Sequence, residues 1–166
     1  PVLETVQRIK ACGATLTRMR GVLNGTSNFV LDRLGCGEAL KSAVEAAQEA
    51  GFAEADPSAD LDGLDAANKL ALIARDAWGV ELDPAGIDTQ SISDLPGEAG
   101  ATAKAQGRVL RQVASLSRSP VGVKAKVRLE ALSPDDPLAR TRDEGNCVVL
   151  TPARGGVGLR LVAVEP

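Results

Sequence analysis

The chain contains no histidine and no tyrosine, one tryptophan, one methionine, two phenylalanines and three cysteines. Each shortage removes a class of function. Without histidine, and with Cys12, Cys36 and Cys147 far apart, no zinc-ligand spacing exists, and no metal is expected. Cysteines without paired spacing suit a reducing compartment, so the expected location is cytoplasmic. With Phe29, Phe52 and Trp78 as the whole aromatic complement and a net charge of −3, the chain lacks a basic stripe interleaved with aromatics, and no nucleic-acid partner is expected. No apolar run approaches membrane-spanning length and no signal-peptide pattern is visible, so no membrane partner is expected either.

What is present is an Ala-, Val- and Leu-rich chain of 166 residues, 44% hydrophobic, enough for one compact domain over residues 1–166. The patterns predict helices over Val2–Ala11, Ser27–Leu34 and Glu38–Ala50, the last ending at Gly51. A long helix to Trp78 follows, then a further one through Ala101–Arg108 and beyond, weakened by Gly107. Strands are expected at Ala14–Leu23, Val121–Leu132, Asn146–Thr151 and Val157–Val164, with loops at Asp83–Gly86 and Ser117–Pro120. Helices early and strands late predict an α/β fold of α+β character: a mixed β-sheet with helices packed mainly on one face.

The most informative segment runs from Gly51 to Leu70, where five carboxylates (Glu54, Asp56, Asp60, Asp62, Asp65) and Lys69 stand where a loop becomes a helix. So many acids repel one another unless a cation or a hydrogen-bonding ligand sits among them. Pro57 and its small neighbours block helix. Beyond Asp62, the spacing of Leu64, Ala67, Ala71, Ala74 and Trp78 predicts one buried helical stripe. Asp65 and Lys69 are then four apart on one face, at the margin of that stripe, acid before base. A lysine so held can hydrogen-bond a substrate hydroxyl or carbonyl. The plain alternative is an exposed ion pair of about 0.3–0.5 kcal/mol. A calcium loop aligned on Ser58, Asp60, Asp62 and Gly63 would place Lys69 where a bidentate glutamate is needed, which argues against it. A glycosidase pair of Glu54 and Asp60 lacks the aromatic platforms that sugar sites usually offer.

The second segment is Gly21-Val-Leu-Asn24-Gly25-Thr26-Ser27-Asn28-Phe29, a predicted strand-to-helix turn. Thr26 or Ser27 can cap the helix, and the free N–H groups of its first turn suit a carboxylate or phosphate. On its own, Asn24-Gly25 reads equally as a simple tight turn.

Together the two segments are more specific. Asn24-Gly-Thr-Ser-Asn28, then Ala47-Gln-Glu-Ala-Gly-Phe-Ala-Glu-Ala-Asp-Pro57, then Asp60-Leu-Asp-Gly-Leu-Asp-Ala-Ala-Asn-Lys-Leu70 closely resembles the substrate and catalytic domain of homoserine dehydrogenase. The resemblance is strong to about residue 80 and looser through Ile92-Ser93-Asp94 and Asp136-Pro-Leu-Ala139. It implies an oxidoreductase that interconverts L-homoserine and L-aspartate 4-semialdehyde with NAD(P), in threonine and methionine biosynthesis. By position, the resemblance implies that Glu54 holds the substrate ammonium and that Gly25 and Thr26 contact its amino-acid end. It further implies that Asp60 shapes the pocket, with Phe52 beside it, and that Lys69 and Asp65 bracket the hydroxyl that becomes a carbonyl. It also implies a homodimer through the sheet's other face.

The departures bear on function. The family's Rossmann cofactor domain has no counterpart here: no Gly-x-Gly-x-x-Gly stands between a strand and a helix, and Gly155-Gly-Val-Gly158 leads toward a strand. Pro1 falls just after the family's linker lysine and cation loop. Phe52 replaces a tyrosine and Ser27 a threonine. This chain by itself is therefore expected to bind substrate, to bind no cofactor and to perform no turnover, because the hydride acceptor must be held close to the reacting carbon. A standalone amino-acid-binding module and a purely oligomerising remnant stay open as alternatives.

Overall fold

The computed structural model describes residues 2–141, 145–154, 157–158 and 160–165. Helix α1 (Val2–Ala11) leads into strand β1 (Thr15–Val22), followed by α2 (Gly25–Gly35), α3 (Leu40–Glu49), the single turn α4 (Ser58–Leu61) and α5 (Leu64–Trp78). The rest is β2 (Asp88–Thr89), α6 (Ala99–Ala105), the hairpin β3 (Val109–Ser119) and β4 (Gly122–Leu132), β5 (Asn146–Arg154), β6 (Val157–Gly158) and β7 (Leu161–Glu165). All seven strands join one sheet in the order β2-β4-β3-β1-β5, with β6 and β7 sharing the outer edge of β5. The short β2–β4 pair is parallel and every other pair antiparallel, so the sheet is mixed as expected.

The helices cover one face. Val6 and Ile9 of α1 and Ala66, Ala67, Leu70, Ile73 and Ala74 of α5 pack on Leu16, Met19, Ala114, Leu116, Val127, Val148 and Leu150. A second cluster joins Val30, Leu31 and Leu34 of α2 to Ala43 and Ala47 of α3, to Leu61, and to Leu110 and Leu129 at the near end of the hairpin. Helix α6 closes on α2 at Gly100, where a Cβ would lie 2.5 Å from the Leu34 carbonyl carbon; only glycine permits that approach. The other face is divided. Val22, Val113, Leu132, Cys147 and Val149 form an apolar patch covered by Leu138 and Ala139 of a short 3₁₀ turn. Beyond it the register lines up Arg18 with Ser117 and Lys124, and Arg20 with Ser115 and Lys126, making that end cationic rather than apolar.

Four sequence expectations are corrected. Helix α6 ends at Ala105, short of Arg108: Gly107, at φ 67°, closes it, with the Arg108 amide donating to the Ala103 carbonyl. The residues after it form β3, a central strand that the alternation hides because Arg111 to Ala114 are all buried, on both faces. Ser117 and Ser119 belong to this strand, and the loop narrows to the hairpin turn at Pro120 and Val121. The buried stripe of α5 runs through Ala66, Ala67, Leu70, Ile73 and Ala74, while Leu64 is exposed. Pro57 does not prevent helix after it; Ser58–Leu61 forms one turn, with Leu61 N–H donating to the Pro57 carbonyl. Of the last expected strand, Val157–Val164, Leu159 lies outside the described residues, as do Gly155 and Gly156 before it.

Candidate functional site

Strand β1 delivers Leu23 and Asn24 to the end of the sheet where α2 begins, and the acidic segment folds against them. Asn24, not Thr26 or Ser27, caps α2: its Oδ1 accepts from the Ser27 amide at 2.9 Å. This leaves the Thr26 hydroxyl free to donate to the Phe52 carbonyl at 2.6 Å, which ties the start of the acidic loop to the helix. Ser27 Oγ lies 3.0 Å from the Asp60 carbonyl oxygen and 3.2 Å from Gln112 Oε1. The loop is held from outside by Gln48, whose amide donates to the carbonyls of Glu54 and Ala55. The Ser58 hydroxyl and amide, both bonding Asp56, draw the Asp56 carboxyl below its ordinary value.

Helix α5 starts after Gly63, which takes φ 77° and passes so close to the sheet that a Cβ would stand 3.0 Å from Val127 Cγ1. That approach sets the height of Asp65 and Lys69 above β1. Lys69 Nζ lies 2.7 Å from Asp65 Oδ2 and donates to the Leu23 carbonyl at 2.6 Å. An ammonium has three protons; the Leu23 carbonyl and Asp65 take two, and the third is available to a ligand. The Asn24 side-chain amide donates to Asp60 Oδ1 at 2.7 Å and to Asp65 Oδ2 at 3.0 Å. Lys69 also borders a cavity of about 270 Å³, whose walls include Leu3, Leu23, Leu72, Ile73 and Asn146. Asn146 Oδ1 is buried without a hydrogen-bond partner.

The structure thus brings together Asp60, Asp65 and Lys69, with Gly25 as the first residue of α2 beside them. It joins Thr26 to the backbone of Phe52, whose ring packs 4.8 Å from that of Phe29. Glu54, two residues on, is exposed, and its carboxylate has no ion-pair partner among the described residues. Two residues of this neighbourhood carried no signal of their own in the sequence. Gln112 is buried at the middle of the sheet and donates to the carbonyls of Leu61 and Gln90. Asn146 sits at the start of a strand far along the chain. Neither has a motif around it; only the folded sheet places them here.

The family model described as homoserine dehydrogenase matches residues 1–162 of this chain. The chain belongs to the homoserine dehydrogenase family. The homoserine dehydrogenase of Bacillus subtilis is 30% identical over 149 residues, covering 89% of this chain. The NAD(+)-dependent homoserine dehydrogenase of Pseudomonas canavaninivorans is 33% identical over 152 residues, covering 91%. Among solved structures, a homoserine dehydrogenase from Thiobacillus denitrificans superposes with a TM-score of 0.87 over 99% of this chain at 26% identity. A putative homoserine dehydrogenase from Archaeoglobus fulgidus gives 0.83 over 98% at 30%. The chain spans 34% and 43% of the length of the two sequence relatives, and 38% and 48% of the two structures. The α/β architecture expected from the sequence is therefore that of the matching part of homoserine dehydrogenases.

Proposed function

We propose that this chain is the substrate domain of an NAD(P)-dependent homoserine dehydrogenase, interconverting L-homoserine and L-aspartate 4-semialdehyde in threonine and methionine biosynthesis. The observation that carries the reading is the Lys69 ammonium, oriented by Asp65 and the Leu23 carbonyl and left with one proton to donate. In this reading Lys69 hydrogen-bonds the substrate oxygen and holds or relays its proton as the alcohol becomes a carbonyl, and Asp65 keeps the ammonium in place. Asp60 bounds the pocket. Glu54, exposed and without an ion-pair partner among the described residues, is the anionic partner for the substrate ammonium. Gly25 and Thr26 present the first turn of α2 to the substrate carboxylate, where N–H groups lack intrahelical partners, and Phe52 walls that end.

NAD(P) is the hydride carrier of the full enzyme, and the described residues do not fit its dinucleotide. Both neighbours of β1 run antiparallel, no parallel βαβ unit occurs among the described strands, and the β1–α2 turn is Asn-Gly rather than glycine-rich. The cofactor is assigned to a Rossmann domain outside these residues. We further propose a cytoplasmic homodimer. No helix among the described residues is long and apolar enough to cross a membrane.

The test is calorimetry of this chain with L-homoserine. Binding that weakens at least about tenfold in Glu54→Gln and in Lys69→Ala is expected, each removing one charged hydrogen bond. Absence of binding in the wild-type chain would sink the reading, and would favour a purely oligomerising role.

A further inference from the structure

The Asn24 side chain bonds groups on three segments of the site, the first turn of α2, the α4 turn and α5. Its Oδ1 is taken by the Ser27 amide, and its Nδ2 bonds one oxygen each of Asp60 and Asp65. An amide nitrogen has two protons and both are used. Helix α2, the α4 turn and helix α5 are therefore pinned to a single group, and two carboxylates of like charge are held side by side by a neutral donor. Asp65 receives Asn24 and Lys69 on the same oxygen, Oδ2, so its rotation is set from both sides. The adjoining Leu23 carbonyl accepts from Lys69. Two successive residues of one turn thus grip both members of the Asp65–Lys69 pair.

The geometry points to Asn24 as the positioning residue that gives this site its preference for a hydroxyl-bearing substrate. This rests on the role proposed above for Lys69. Asn24 does not reach the reacting atoms; it acts by fixing Asp65, and through Asp65 the direction of the free Lys69 proton. Without the bridging amide, Asp60 and Asp65 repel each other, Asp65 turns away, and the ammonium is left to one carbonyl. The amino-acid end of the substrate, assigned to Glu54 and Thr26, is bound by other groups and is unaffected.

Two substitutions separate this role from helix capping. Asn24→Ser keeps a good cap acceptor for Ser27 but has no bridging N–H; Asn24→Asp keeps the cap and the shape but replaces the bridge with a third carboxylate. Melting temperature, affinity for L-homoserine and affinity for L-2-aminobutyrate, which lacks only the hydroxyl, are measured for wild type and both variants. The expected result is melting near wild type in Asn24→Ser and lower in Asn24→Asp, a wild-type preference for homoserine of about tenfold or more, and a preference near unity in both variants, with aminobutyrate affinity unchanged in Asn24→Ser. Wild-type discrimination in the variants would overturn the proposal. Acylation of Lys69 by a succinimidyl ester, read by mass spectrometry against Lys41, whose side chain is 88% exposed, needs no substrate. Faster Lys69 labelling in Asn24→Ser is expected. If wild type binds neither amino acid, the substrate reading fails, and this labelling alone decides: an unchanged rate overturns the positioning role.

Discussion

Gln112 donates its side-chain amide to the Leu61 carbonyl at 3.1 Å, so the centre of the sheet holds the end of the acidic turn directly. The same amide donates to the Gln90 carbonyl, and Gln112 Oε1 lies 3.2 Å from the Ser27 hydroxyl. One buried side chain fixes three segments that border the site.

Replacing Gln112 by leucine keeps a similar volume but leaves the Leu61 and Gln90 carbonyls without that donor. Unpaired buried polar groups are the expensive consequence, and a loss of about 1–3 kcal/mol is expected. Urea unfolding with an unchanged m-value checks it; a neutral result would mean that water replaces the amide.

Gly63→Ala carries two penalties: the left-handed backbone and a Cβ 3.0 Å from Val127 Cγ1. Gly13, at φ 71° with nothing within 4 Å of its Cβ position, carries only the first. The backbone penalty is about 1–2 kcal/mol, so both alanines destabilise, and Gly63→Ala by the larger amount. Equal midpoints in parallel denaturant titrations would contradict the close approach of α5 to the sheet.

Lys69→Arg preserves the charge but not the geometry. A guanidinium is a planar fork, whereas Lys69 reaches Asp65 Oδ2 and the Leu23 carbonyl from one point at 2.7 and 2.6 Å. The pair is exposed enough, at 44% and 33% for the two side chains, that stability should change by less than about 1 kcal/mol. If the proposed function holds, then in a protein that supplies the cofactor domain kcat should fall by about two orders of magnitude, the scale of a positioned proton donor or acceptor. Turnover close to wild type would remove Lys69 from the chemistry.

Burial pushes the Cys147 thiol above its ordinary value of 9.0, with the Asp136 charge acting in the same direction. Below that value both folded and unfolded thiols are protonated, and the stabilising contribution is complete. Above it the unfolded thiol ionises first and binds fewer protons, so stability falls as pH rises toward the folded value. Cys147→Val should flatten this alkaline decline in melting temperature relative to wild type. In the native protein, iodoacetamide should modify the exposed Cys12 and Cys36 and spare Cys147 until denaturant is added.

Local patterns carried much of this protein. The helical period of Val2–Ala11, the αL glycine after α3 at Gly51 and the alternation of β1 are properties of neighbouring residues, and the folded elements fall within a few positions of where those patterns put them. The Asp65–Lys69 pair was legible for the same reason, because residues four apart on a helix must meet. Strand β3 was not legible. Arg111 and Gln112 sit at buried positions where an alternating pattern would demand apolar residues. They are tolerated there because Asp32, Thr141, Leu61 and Gln90 supply their partners from 22 to 79 residues away. The Asn24 bridge and the placing of Asn146 beside Lys69 likewise depend on long-range pairing of β1 with its neighbours and on the seating of α5 over them. By itself the sequence determined which residues form helices early in the chain and which acids and lysine share a helix face. Only the tertiary structure decided which polar side chains hold that face in position, since a buried polar group takes its meaning from partners that chain spacing does not reveal.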